Sequence, residues 1–176
     1  MLKKSILSLT ALVFVFALSG CDFFNFGGPQ PPKDQMEKIS FVVYRPDKDG
    51  EWLHAEKHEL EIKKDSDKLK AALDTLVEKK PAGDKLVNIF PEKTKVLSVK
   101  TVGGTAEVNL SKDILQGNSG GSLSEMMLVT SIVNTATEFP GISKVQILVD
   151  GKKIESIGGH MDVLDPLQRN ESLIKK

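Results

Sequence analysis

The chain has 176 residues with 24 basic and 24 acidic side chains, so its formal net charge is zero and no basic patch stands out. A nucleic acid is therefore not expected as a partner. Cys21 is the only cysteine, which excludes an intramolecular disulfide and a cysteine-based metal cluster.

The N-terminus carries the pattern of a secretion signal. Lys3 and Lys4 precede an apolar run over residues 6–18, too short for a stable membrane-spanning helix. The residues Leu-Ser-Gly-Cys at 18–21 resemble a bacterial lipobox, in which the cysteine receives a diacylglyceryl group and the chain is cleaved before it. We therefore predict a signal peptide over residues 1–20 and a mature chain anchored through Cys21 at the outer face of the cell membrane. The alternative is a free cysteine that ends a secretory signal or a signal anchor.

Residues 21–37 predict a flexible tether, because glycines and three prolines occur there without hydrophobic periodicity. Residues 38–166 then suffice for one domain with one core and are too few for two. Residues 167–176 are assigned to a C-terminal tail. The mature chain would hold 22 basic against 24 acidic residues, a net charge of about −2.

The first half of the domain predicts a hairpin and a helix. Residues 39–44 form a β-branched and aromatic run, Asp49-Gly50 supplies a turn, and a return strand follows over about 52–62. The acids of this turn lack the later ligands of a calcium loop. Asp65 or Ser66 is expected to cap a helix whose apolar residues recur at three- and four-residue spacing.

The second half repeats this order. Strands over 95–102 and 105–110 flank a glycine pair, and Ser122 with Glu125 predicts a capping box at the start of a helix. A strand over 145–149, a turn and a return strand over 154–157 follow. Hairpins joined in this way predict an α+β fold, a mainly antiparallel sheet with two helices packed on one face.

Two stretches imitate catalytic motifs. Residues 117–121 read G-N-S-G-G and place Ser119 in the pattern of a serine nucleophile, but no buried strand runs directly into it. The favoured interpretation is a glycine-rich loop that leads into the helix. A second hypothesis, between a plain loop and a catalytic serine, is that amides at the helix start bind an anion. His54 and His58 come close to a zinc-protease motif, yet in a strand they would lie about 13 Å apart, too far to share one zinc. The sequence therefore implies neither a metal nor another cofactor.

His160 is the third candidate, since it follows Gly158 and Gly159 and precedes Asp162 and Asp165. Acid–base catalysis would need a convergent partner that the sequence does not provide. We therefore interpret Gly158, Gly159, His160 and Asp162 as a structural turn or binding contact. A small cell-wall or peptide hydrolase that uses Ser119 or His160 is the alternative.

Several segments together resemble the GerMN domain of bacterial sporulation and spore-germination lipoproteins. They include SIVNT at 131–135, TEFPG at 137–141, VDG at 149–151 and GGHMD at 158–162. The resemblance covers about residues 38–170 and includes the lipobox. It implies a ring-building-motif-like sandwich and places Gly158-Gly159-His160 in the domain's signature at the end of a strand.

The resemblance also implies a function without catalysis. A GerMN domain is expected to be a binding or assembly module of the cell envelope that contacts sporulation-complex proteins or peptidoglycan and can form homo-oligomers. The sporulation member carries two such domains in tandem, whereas this sequence shows one copy. A role in sporulation or germination is thus an expectation from the family, beside a general role in the envelope.

Overall fold

The computed structural model describes residues 35–116 and 120–176. The predicted signal peptide, Cys21, most of the predicted tether and Ser119 lie outside these residues. The described residues belong to one compact unit. No helix in the described ranges is long and apolar enough to cross a lipid bilayer.

A long hairpin opens the fold. Strands β1 (Met36–Pro46) and β2 (Leu53–Lys63) pair antiparallel along their whole length, with Phe41 opposite His58. Alternate residues from Ile39 to Val43 are buried because the pleat points every second side chain toward the core, and the last four residues of β1 are all buried. The turn is held by the Asp47 carboxylate, which accepts a hydrogen bond from the Glu51 amide at 3.0 Å. It therefore forms the hairpin predicted from the sequence.

Helix α1 (Lys68–Glu78) follows the hairpin, and its apolar face is buried. Asp67 caps its start, since the carboxylate accepts a hydrogen bond from the Lys70 amide at 3.0 Å. The predicted caps, Asp65 and Ser66, were wrong by one or two residues. Asp67 directly precedes the helix, so its carboxylate is the one placed to accept from the amide of the third helical residue.

Arg45 on β1 holds the other end of α1 and is almost fully buried. Its guanidinium donates hydrogen bonds to the carbonyls of Leu76, Thr75 and Lys79 at 2.8–3.0 Å. It also pairs with the buried Glu56 carboxylate at 2.7 Å. A cation at a helix C-terminus is favourable, and here it satisfies carbonyls that the helix leaves free.

The second sheet is built from the remaining strands, β3 (Val96–Val102), β4 (Thr105–Leu110), β5 (Lys144–Val149), β6 (Lys152–Lys153) and β7 (Leu167–Gln168). Its order is β3-β4-β5-β6. The short strands β6 and β7 share one edge of β5: β7 pairs with the first residues of β5, and β6 pairs with its last residues. Strands β4 and β5 are parallel because a 3₁₀ turn (Lys112–Leu115) and helix α2 (Gly121–Ala136) connect them.

The predicted α+β class with mainly antiparallel strands is confirmed, and two features differ. The strands divide into two sheets, and both helices contact both of them. The predicted return strand over 154–157 is wrong, because pairing after Asp150-Gly151 ends with β6 at Lys153. The backbone then leaves the sheet toward α2, where Ile157 is buried.

Residues 167–176, assigned to a tail from the sequence, contact the rest of the fold. The side chain of buried Asn134 on α2 exchanges two hydrogen bonds with the Asn170 backbone, at 2.8 and 2.9 Å. Arg169 pairs with Glu138 at 2.7 Å and lies over the Tyr44 ring. A second 3₁₀ turn (Glu171–Leu173) then leads to Lys175, whose amide donates to the Leu53 carbonyl at 2.8 Å.

Candidate functional site: the His160 corner

The segment singled out from the sequence forms a sharp corner, which we define as residues 157–162 and name the His160 corner. It is anchored on both sides, because Ile157 and the following Val163 are buried. Gly159 has a φ of +86°, a conformation that side-chain-bearing residues rarely adopt. The Gly159 amide donates to the Ser156 hydroxyl at 2.7 Å. The glycine thus has a structural reason to be there.

A buried carboxylate holds this corner in place. Glu125 on α2 is fully buried, and one oxygen accepts hydrogen bonds from the amides of Ile157 and Gly158 at 2.9 and 2.8 Å. The other oxygen accepts from the His160 amide at 2.8 Å. Successive backbone amides that point to one spot form an anion-binding nest, and Glu125 fills this one from inside the molecule.

The predicted capping box is therefore wrong. Helix α2 begins after Gly120 without a side-chain cap, and Ser122 is exposed while Glu125 points inward. The spacing of serine and glutamate fits a capping box, but the corner offers the carboxylate three amides, against the single amide that a capping box provides. The sequence signal for this role is that Glu125 precedes an almost unbroken buried run that lasts to the end of the helix.

The hydrogen bonds also determine the charge of Glu125. Burial by itself raises the pKa of the Glu125 carboxyl, but the amides of Gly158, His160 and Ile157 outweigh this effect, so the pKa is lowered. The group is ionised at neutral pH, although no lysine, arginine or histidine within the described residues pairs with it. Its charge is stabilised by backbone dipoles alone.

The His160 side chain is exposed and makes no hydrogen bond within the described ranges. It lies between two clefts. One, of about 370 Å³, is lined by His160, Met161 and residues near the start of α2: Ser122, Leu123 and Met126. The other, of about 540 Å³, is more polar and includes the carboxylates of Glu155 and Asp162. His160 is thus placed to contact a partner from either side.

Two contacts among the described residues argue against the hydrolase alternative at His160. The corner amides that could stabilise a substrate oxyanion are already bound by Glu125, and the Asp162 carboxylate accepts from the Leu164 amide at 2.8 Å rather than orienting His160. Ser122 lines the apolar cleft with His160, but no hydrogen bond joins their side chains in the part of the chain that the structure describes. Ser119 lies outside that part.

The second pair of histidines has structural contacts. His58 donates a hydrogen bond to the buried Glu56 carboxylate at 2.9 Å and stacks on Phe41, and His54 lies 3.4 Å from the Asp47 carboxylate. Over residues 35–116 and 120–176, no three histidine, cysteine or acidic side chains converge on a point where a metal ion could bind. His54 and His58 thus contact carboxylates and an aromatic ring of the protein itself.

The comparisons with known proteins agree with this fold. The family model for Germane, described as sporulation and spore germination, matches residues 42–155, so the match ends just before the His160 corner. No curated protein matches the chain.

Among solved structures, a candidate lipoprotein from Clostridium perfringens is 28% identical, with a TM-score of 0.53 over 74% of this chain and 87% of that one. The tandem GerMN domains of the sporulation protein GerM from Bacillus subtilis are 24% identical, with a TM-score of 0.63 over 75% of this chain and 46% of that one. Its first GerMN domain alone, also 24% identical, has a TM-score of 0.59 over 74% and 98%. Because the family model spans well over half of the sequence, the chain belongs to the Germane family of sporulation and spore germination domains.

Proposed function

We propose that this protein is a lipoprotein of the cell envelope, tethered through Cys21 to the outer face of the membrane, whose Germane domain binds or assembles partners without catalysing a reaction. The partners are envelope or sporulation-complex proteins, peptidoglycan, or both. Family membership supports a sporulation-related envelope domain, and the candidate lipoprotein among its structural relatives is consistent with the lipid anchor.

One observation carries the choice of binding over catalysis. Glu125 occupies the amides of the His160 corner, so these amides fix the shape of a surface instead of holding a reactive oxygen. The same bonds leave the His160 side chain free, between an apolar cleft and a polar one. A rigid backbone that presents an unbound side chain beside a half-exposed leucine and two methionines suits contact with a partner.

The binding proposal is tested by sedimentation with insoluble peptidoglycan sacculi and, in parallel, by affinity capture from envelope membranes. His160→Ala is compared with Asp165→Ala, a matched substitution of an exposed residue that lines neither cleft. We expect a partner to be retained by the parent chain and by Asp165→Ala, and to be released by His160→Ala. Equal retention by all three would show that the His160 corner is not the contact.

The anchor requires a separate experiment. Cells that express the parent chain or Cys21→Ser are grown with a labelled fatty acid, and the label on the protein is measured. We expect label only on the parent chain, which should also partition with the membrane. Label on Cys21→Ser, or none on either chain, would refute lipidation at this residue.

A further inference from the structure

The outer edge of β2 is unpaired over seven residues, Ala55–Glu61, which we name the free edge. The Asp47 amide donates to the Trp52 carbonyl and the Lys64 amide to the Gln35 carbonyl, so β2 residues with even numbers bond to β1. The amides and carbonyls of Ala55, Lys57, Glu59 and Glu61 therefore point away from the hairpin. In the described part of the chain no hydrogen bond reaches them.

The start of β2 shows that this edge accepts another strand. Ile174 forms a bridge with Leu53, and the Lys175 amide donates to the Leu53 carbonyl at 2.8 Å. The contact ends there, so it limits the free edge on one side. A groove of about 480 Å³ between β2 and α1 borders the free edge. It leaves room for the inward side chains of an added strand.

The charges on the free edge identify its occupant. Lys57, Glu59 and Glu61 are exposed on the solvent face, and Glu59 is bonded to Lys38 of β1. The free edge is centred on His58. When two copies meet antiparallel about this centre, Lys57 of each lies opposite Glu59 of the other. A shift of one strand by two residues brings together either two copies of Lys57 or two copies of Glu59.

We propose that the protein forms a two-fold dimer in which the free edges of two copies pair antiparallel about His58. The pairing joins the two hairpins into one continuous four-stranded sheet and satisfies the unpaired backbone groups of both edges. Each Glu59 then lies between Lys38 of its own copy and Lys57 of the second. Because both copies use the same surface, the contact closes on itself and does not propagate into a filament.

The test measures the molecular mass of the full chain by sedimentation equilibrium in density-matched detergent, over a range of concentrations. We expect the parent chain to reach a monomer–dimer equilibrium. Lys57→Glu and Glu59→Lys each convert both cross-strand pairs into like charges, so each should weaken the dimer about tenfold or more. Mixing the two variants restores opposite charges at both pairs, and the mixture should dimerise again.

Glu61→Lys is the matched control, since it also reverses an exposed charge of β2 but faces Ala55 of the second copy. It should leave the dimer unchanged. Thermal unfolding of each variant checks that it is folded, and the chain that carries both substitutions, Lys57→Glu with Glu59→Lys, should dimerise on its own. A monomeric parent chain, a dimer that survives Lys57→Glu, or a mixture that stays monomeric would each overturn the proposal.

Discussion

Two carboxylates are buried among the described residues, Glu56 and Glu125, and their charges are stabilised in different ways. Glu56, in the half built from β1, β2 and α1, is paired with the Arg45 guanidinium and also accepts a hydrogen bond from the Ala82 amide at 2.6 Å. Glu125, at the start of α2, has only backbone amides around it. Both carboxyl groups have lowered pKa values, although burial acts on each in the opposite direction.

The two solutions have different consequences. The Arg45 guanidinium has several donors, so from β1 it binds both Glu56 on β2 and carbonyls at the end of α1. The pair therefore joins three elements. Backbone amides belong to one short segment, so Glu125 fixes the path of that segment and the position of His160. The first cluster stabilises the frame of the domain, and the second shapes its candidate contact surface.

Removing the cation should have the largest effect. Arg45→Met removes the cation beside buried Glu56, which keeps the Ala82 amide and His58, and it removes the guanidinium donor from the α1 carbonyls. We expect this to lower the free energy of unfolding by about 3–5 kcal/mol. Urea unfolding measures this change. The double variant Arg45→Met with Glu56→Leu should recover part of the loss. A loss below about 1 kcal/mol for Arg45→Met would show that the frame does not depend on the pair.

Removing the Glu125 carboxylate should lower the free energy of unfolding somewhat less. Glu125→Ala leaves three corner amides without an acceptor, and we expect a loss of about 3 kcal/mol in the free energy of unfolding. Hydrogen exchange should accelerate more at the amides of Gly158 and His160, which lose their acceptor, than at those of β1, which change only through the global loss of stability. Equal acceleration in both regions would mean that Glu125 stabilises the whole domain, contrary to the contrast with Arg45.

Acid should weaken the Glu125 contact. A glutamate whose folded pKa is lowered adds stability above its unfolded pKa of about 4.3 and loses it as the pH falls through the folded value. Glu125→Gln carries no titrating group at this position. The difference in unfolding free energy between the parent and Glu125→Gln should therefore shrink as the pH falls below about 4. A difference that is constant with pH would contradict an ionised Glu125.

The sequence was informative where contacts are local. Alternation in β4 and the spacing of apolar residues in α1 depend on the pleat and the helical turn, and both elements form as predicted. The roles of Arg45 and Glu125 could not be predicted in this way. The α1 carbonyls that Arg45 binds and the corner amides that Glu125 binds lie about 30 residues or more away along the chain, so only the tertiary fold brings them together.

The candidate site shows the same division. The glycine pair beside His160 predicted a tight backbone passage, and at Gly159 the structure shows a positive φ with open space where a Cβ would lie. The two clefts could not be predicted, because Leu123 and Met126 belong to α2 and come beside His160 only in the tertiary fold. The spacing of Ser122 and Glu125 favoured a local cap, but the Glu125 carboxylate instead accepts hydrogen bonds from the distant corner amides.

A smaller loss is expected at the C-terminal segment. Asn134→Ala removes both hydrogen bonds to the Asn170 backbone from a fully buried position, and we expect a loss of about 1–2 kcal/mol in the free energy of unfolding. Proteolysis near residue 170 should become faster, while Gln168→Ala, which removes an exposed amide side chain that makes no hydrogen bond among the described residues, serves as the control. Unchanged proteolysis would show that Arg169 and the Leu53 contact hold the segment without Asn134.

The smallest effect on stability should follow from His160→Ala, and this small effect separates the side chain of the corner from its backbone. Glu125 binds the His160 amide, which alanine retains, whereas the imidazole is exposed and makes no hydrogen bond in the described residues. We expect the unfolding free energy to change by no more than about 0.5 kcal/mol, and partner retention to fall. Glu125→Ala should reduce retention as well, because it releases the backbone that positions the imidazole. If His160→Ala instead lowered the unfolding free energy as much as Glu125→Ala, the imidazole would stabilise the fold of the corner. Its exposure would then not indicate a binding role.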